Sequence, residues 1–231
     1  MKHKNKLLSA TFLMASAVAL ISCGGDSGSS SDSKFFGKVP GIFASMTEQK
    51  EALKEQYETC SSEDDVKKLQ TEAESAEKDF STRLEEAGKA MDGKTIEIKS
   101  TPEIKVNSPV TLTFDGFQSQ LDLTPRFRLT GDVVAGQDYQ SEDFKRISAS
   151  AGDLSKYSGL SQHVYLIGLD DTGVQVFSQQ VAFFPVKLIA DSELGVKAGT
   201  KLEFETFTIN EKNVEGCLKA TCLQLSYSSG K

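Results

Sequence analysis

Tryptophan is absent from this 231-residue chain, and histidine nearly so, with only His3 and His163. Cleavage of the N-terminal leader would remove His3, and one imidazole is a poor basis for a hydrolytic triad or a His-rich metal site. His163 therefore reads as a structural or surface residue. The missing tryptophan weakens a sugar-binding reading, although Phe or Tyr platforms stay open. Positive charge is also short, with 26 Lys and Arg against 33 Asp and Glu and a formal charge of −7. Without a basic stripe the chain suits neither nucleic acid nor an anionic headgroup surface. Nor does any apolar run reach the roughly 20 residues that a membrane-spanning helix needs. The longest, Leu7 to Ile21, is interrupted by Ser9, Thr11 and Ser16.

That run has another use. Lys2, Lys4 and Lys6 precede it and Ser22 follows it, the order of an export signal. Its end, Leu20-Ile21-Ser22-Cys23, resembles the lipobox of bacterial lipoproteins cut by a signal peptidase II type enzyme. By that resemblance residues 1–22 are a signal peptide, and Cys23 becomes the acylated N-terminus, carrying chains such as palmitate. Two chains suffice for stable anchoring, at about 0.8 kcal/mol per buried methylene. The alternative, a conventional secretory leader, would leave a free thiol in an oxidising compartment. Gly24 stands where enteric-type lipoproteins kept in the inner membrane carry aspartate, so the resemblance implies the cell outer membrane, periplasmic or surface-facing. The stretch Asp26 to Asp32 looks like the acidic tether of surface-exported lipoproteins of Bacteroides-type bacteria, or is a plain spacer. Losing three lysines with the leader takes the charge from −7 to −10.

Residues 23–40 read as a lipidated flexible tether, mostly Gly, Ser, Asp and Lys. Such a coil would span about 20 to 25 Å. Phe35-Phe36 interrupts it, and this pair is expected to pack back on the folded domain. Residues 41–93 read as an antiparallel helical hairpin. Ser45-x-x-Glu48 has capping-box spacing, and Phe43, Met46, Leu53, Tyr57 and Cys60 follow helical steps. Ser61 to Asp65 supplies hydroxyls and acids for a second helix start, and Asp92-Gly93 stops that helix. The second arm is about twice as long as the first, so Leu84, Ala87 and Met91 lack partners on it. This stripe must pack on the following domain or serve as a partner-contact surface on another molecule.

From residue 94 to 231 the period becomes that of strands. Ile96 and Ile98, Val110 to Phe114, and Phe127 and Leu129 alternate, with Asp115-Gly116 reading as a turn. Val164 to Leu169 is apolar on both faces, as in a central strand, and Asp170 to Gly173 turns it into a long partner running to Phe184. Between Phe204 and Phe207 the apolar phase slips, which a bulge at Glu205 or Thr206 would repair. The pattern predicts an α+β chain, a helical hairpin followed by an antiparallel β-sandwich without interleaved helices. Asp171-Thr172-Gly173, Ala198-Gly199 and Phe204 resemble the turn and strand landmarks of immunoglobulin-like FxLYD-type envelope domains. Alanine stands where that family has proline, and the likeness covers about residues 126 to 209.

Three cysteines remain beyond the lipid site. Cys217 and Cys222 are expected to form a local disulfide, since the further ligands zinc would need are missing nearby. Cys60 is a seam residue of the hairpin, or pairs with another chain or with one of the other two. Glu85-Glu86, Glu142-Asp143 and Asp170-Asp171 are carboxylate pairs, but sequence does not give the separation a glycosidase requires. Asp170 to Gly173 lacks the acid spacing of a calcium loop, so no metal or other cofactor is expected. The resulting expectation is a non-catalytic interaction or scaffold module, held to the membrane by its N-terminal lipid and facing an envelope protein partner. A surface glycan- or peptide-binding lipoprotein, with a site on the loops from Tyr139 to Tyr157, is the alternative.

Overall fold

The structure, a computed structural model, describes residues 32–140, 161–190 and 193–227. It begins on a residue pair that the sequence assigns to the tether. Phe36 is fully buried, and its ring lies 6.3 Å from Phe127, 6.3 Å from Phe177 and 6.2 Å from Phe207. Residues 33–40 are thus folded, a correction to the tether boundary. The cause is local: Ser33 and Gly37 exchange backbone hydrogen bonds of 2.8 and 3.0 Å, closing a tight turn that drives Phe36 inward. Gly37 is the residue the turn requires, with φ at +54° and Met91 Sδ standing 2.7 Å from where a Cβ would lie. The Ser33 hydroxyl donates to the Cys217 carbonyl at 2.6 Å, and the Lys34 ammonium to the Thr221 carbonyl at 2.8 Å. Both ends of the described chain are clasped together there.

Helix α1 spans Val39–Thr59 and starts with Pro40 in its first turn, where the missing N–H removes no intrahelical bond. The capping box expected at Ser45 is therefore not a cap. Ser45 lies inside the helix and its hydroxyl donates back to the Gly41 carbonyl at 3.0 Å. Helix α2, Glu63–Met91, begins as its sequence indicates, with Ser62 Oγ accepting the Asp65 N–H at 3.1 Å and three acids in the first turn. Its 29 residues extend about 43 Å at 1.5 Å each. Gly93, with φ at +71°, lets the chain leave the helix.

Twelve short strands follow among the described residues. Strands β1 (Thr95–Ile96), β3 (Val110–Phe117), β4 (Pro125–Thr130) and β11 (Thr206–Thr208) form one antiparallel sheet in the order β1-β3-β4-β11. A second has the order β10-β7-β6-β12, from β10 (Glu203–Phe204), β7 (Gln175–Pro185), β6 (Ser161–Leu169) and β12 (Cys222–Tyr227). The doubly apolar β6 is internal, as its pattern indicates. Two ribbons complete the strands: β2 (Ile104–Val106) with β5 (Val133–Ala135), and β8 (Lys187–Ala190) with β9 (Glu193–Gly195). A short helix α3, Val214–Lys219, interrupts the strand series, contrary to the expectation of no interleaved helix. Gly216 lets it approach β7, since a Cβ there would lie 2.3 Å from the Val176 carbonyl oxygen.

The phase slip at Glu205 has a different cause from the bulge expected. Phe204 pairs with Ala182 in one sheet, whereas Phe207 pairs with Phe127 in the other. The strand crosses between sheets at Glu205, whose N–H donates to the Val181 carbonyl at 2.7 Å and whose carboxylate accepts Gln180 Nε2 at 2.8 Å. A bulge does occur at Asp115-Gly116, where the sequence suggests a turn. There β3 continues to Phe117 while its register against β4 shifts, with φ of Gly116 at +79°.

One core joins all these parts, containing Phe43, Met46 and Phe80 of the hairpin together with Leu112, Phe127, Leu166 and Phe184 of the two sheets. The step at residue 94 is a change of secondary structure and not a break between cores. Among the described residues no helix is long and apolar enough to cross a membrane. Phe36→Ala should lower stability by about 3 to 5 kcal/mol, the usual range for emptying a buried phenylalanine site. Urea unfolding followed by circular dichroism checks this; a loss below about 1 kcal/mol would show that the plug is dispensable.

Candidate functional site

The stripe Leu84, Ala87 and Met91 is not a partner-contact surface. Leu84 is fully buried, Met91 is 5% exposed, and Ala87 packs against the same core. The surplus length of α2 is used within the chain: its C-terminal half lies along β3, so closely that a Cβ on Gly88 would come within 2.5 Å of the Phe114 ring. The expected disulfide is also corrected. Cys217 and Cys222 are both free thiols, as is Cys60. Cys217 is enclosed on the buried side of α3, while Cys222, half-buried, opens β12 opposite Leu169. Burial pushes the Cys217 thiol up to about 12.

The other residues singled out in the sequence are dispersed. Cys23 and the carboxylates Glu142 and Asp143 lie outside the described residues. His163 is exposed on β6 opposite Phe183. Asp170 Oδ1 accepts the Thr172 hydroxyl at 2.7 Å and the N–H groups of Thr172 and Val174 at 2.9 Å each. The Thr172 hydroxyl first, and then the Val174 N–H, hold that carboxyl below its ordinary range. This is the chemistry of a hairpin turn. Of the loops from Tyr139 to Tyr157 only the first two residues are described. Tyr139 stacks on Tyr227 with ring centroids 4.6 Å apart and planes 6° from parallel. The Tyr227 hydroxyl is buried with no hydrogen-bond partner among the described residues, and burial pushes its pKa up, with Tyr139 and Glu103 acting in the same direction. No group of three or more His, Cys, Asp or Glu able to hold a metal ion occurs among the described residues.

What the structure does assemble is a cleft of about 640 Å³ between α2 and the edge of β3. One wall is a helical stripe at four-residue spacing, Ser81, Glu85 and Lys89, closed at the end by Asp92. Glu85 and Lys89 are paired at 2.7 Å. The floor is Phe114, Gly116 and Phe117, with the two rings 5.9 Å apart and edge to face. The second wall is the β3–β4 loop, which contributes Ser119, Gln120 and Leu123. Its shape is fixed locally: Ser119 Oγ accepts the N–H groups of Leu121 and Asp122 at 3.3 and 3.1 Å. Asp122 Oδ1 in turn accepts the Thr124 N–H and hydroxyl at 3.0 and 2.6 Å. Leu123 tucks in at 6% exposure, while Leu121 stands out at 81%. A shallower groove of about 360 Å³ continues along α2 past Glu74, Glu77 and Lys78, sharing Ser81, Gln120 and Leu123 with the cleft.

Sequence reasoning did not find this site. Its central contact joins residues far apart in sequence: Asp92 Oδ1 accepts the Phe114 N–H at 3.2 Å, where a neighbouring strand's carbonyl would otherwise lie. The cleft presents hydrogen-bonding side chains over an aromatic floor, and the exposed Leu121 lies in the loop that forms its second wall. Compared with protein-family models, with curated proteins and with solved structures, the chain matches none.

Two outcomes are expected here. Alkylation and mass mapping of the denatured, unreduced chain should label Cys60, Cys217 and Cys222 separately, with Cys217 alone protected in the native state. A linked Cys217–Cys222 peptide would restore the bridge. Asp92→Ala should lower stability by about 1 kcal/mol and speed amide exchange at Phe114. Unchanged exchange there would mean that the carboxylate does not cap the strand.

Proposed function

We propose that this chain is a bacterial envelope lipoprotein, held at the outer membrane by acyl chains on Cys23 and acting by binding another envelope component. The leader supports the anchor, since charge, apolar run and small residues precede Cys23 in the required order. Among the described residues the first backbone-bonded turn starts at Ser33, ten residues after Cys23. Two four-stranded antiparallel sheets with one shared core support reading the β-rich part as an immunoglobulin-like sandwich. The cleft between α2 and the β3–β4 loop carries the proposed binding role, because its walls come from two different layers and the loop that forms one of them exposes Leu121 beside Gln120.

The alternative, a glycan- or peptide-binding lipoprotein, gains from the same cleft, whose phenylalanines and amide groups suit a ligand better than Tyr139, already stacked on Tyr227. A two-part experiment tests the proposal. Cys23→Ala should abolish radiolabelled palmitate incorporation and release the protein from sedimented envelopes; continued sedimentation with envelopes would overturn the anchor. A photo-crosslinking residue at Leu121 or Gln120 should capture a specific envelope partner in cells, whereas one at Asp171 on the β6–β7 turn should not. Equal capture at all three positions would remove the cleft from the binding role.

A further inference from the structure

We infer that the cleft binds an extended, lysine- or arginine-bearing polypeptide segment that adds a strand to the open edge of β3, an inference that rests on the binding role proposed above. The edge itself is the first argument. Strand β3 has eight residues, but β1 pairs only with Val110 and Thr111. Beyond them the Leu112 N–H and carbonyl are taken by Lys94 and Gly93, and the Phe114 N–H by the Asp92 carboxylate. Among the described residues no strand pairs with this part of the edge, a side chain occupies the acceptor position such a strand would fill, and Phe114, Gly116 and Phe117 line the cleft floor. Peptides commonly bind such an edge by main-chain hydrogen bonds.

Shape and charge name the occupant further. Cleft and groove lie in line along α2 from Glu74 to Asp92, about 27 Å at 1.5 Å per residue, which matches about eight extended residues. Alternate side chains of an added strand would face the Phe114 and Phe117 rings. Four carboxylates, Glu74, Glu77, Glu85 and Asp92, line this length against two lysines, Lys78 and Lys89. A peptide carbonyl that replaces Asp92 at the Phe114 N–H frees that carboxylate to meet a basic side chain.

The test uses a fluorescein-labelled eight-residue peptide of alternating valine and lysine. Its controls are a copy N-methylated at alternate amides and a copy with glutamate in place of lysine. Binding is read by fluorescence anisotropy and by backbone amide shifts, on the full chain in detergent and on its Cys23→Ala variant. Because the variant needs no anchor, failure of the lipid assignment leaves this result intact. The expected outcome is binding with shifts centred on Phe114 to Phe117, weakened at least tenfold by N-methylation and at least tenfold by the glutamate exchange at low salt. Phe117→Ala should weaken it several-fold. Absence of binding, equal binding of the N-methylated copy, or shifts centred elsewhere would overturn the inference. So would the same shifts arising without peptide as the chain is concentrated, since the edge would then pair with a second copy.

Discussion

Phe36 between the two sheets is the contact on which the rest of the structure depends. Its ring meets Phe127 and Phe207 from one sheet and Phe177 from the other, so the space between them is filled by a residue that precedes every helix and strand. Full burial of such a side chain contributes about 1.5 to 3 kcal/mol. The turn that delivers it also aims α1, which starts two residues after Gly37 with Val39 fully buried. The Ser33 hydroxyl then ties that turn to α3, near the other end of the chain. Helix placement and sheet packing are set together by one short segment.

The same placement produces the cleft. Once α1 is fixed, the hairpin directs α2 back across β3, where Gly88 allows contact with Phe114 and Asp92 caps the strand. Strand β1 is left only two residues long because the chain has just emerged from α2. An open strand edge beside a helix is the result, and the stripe of Ser81, Glu85 and Lys89 faces it. The candidate site is thus a consequence of how the hairpin is joined to the sheet.

The α+β organisation could be read from periodicity, because helical and strand spacing are properties of neighbouring residues. The Ser62 cap, the stop at Asp92-Gly93 and the internal position of β6 were legible for that reason. Features set by residues far apart in sequence were not. That Phe35-Phe36 packs back on the folded domain could be read from its apolar interruption of a polar stretch, but the partners of Phe36 at Phe127, Phe177 and Phe207 could not. The slip at Phe204 to Phe207 looks like a bulge until each phenylalanine is seen to pair in a different sheet. Leu84 and Met91 could face β3 or another molecule, and a helical stripe does not distinguish the two. The cleft was hidden because its helical wall and its floor are about 30 residues apart, and Glu85, Asp92, Phe114 and Gly116 each read locally as something else: an acidic pair, a helix stop, a strand and a turn.

The crossing at Glu205 binds the two sheets to a common fate. With no connecting loop between β10 and β11, adding or deleting one residue there would reverse the facing of one of them. Length changes should therefore be poorly tolerated at this point. The loop tip at Leu121 lies outside both ladders and is exposed, so a length change confined to it should be better tolerated than one at Glu205.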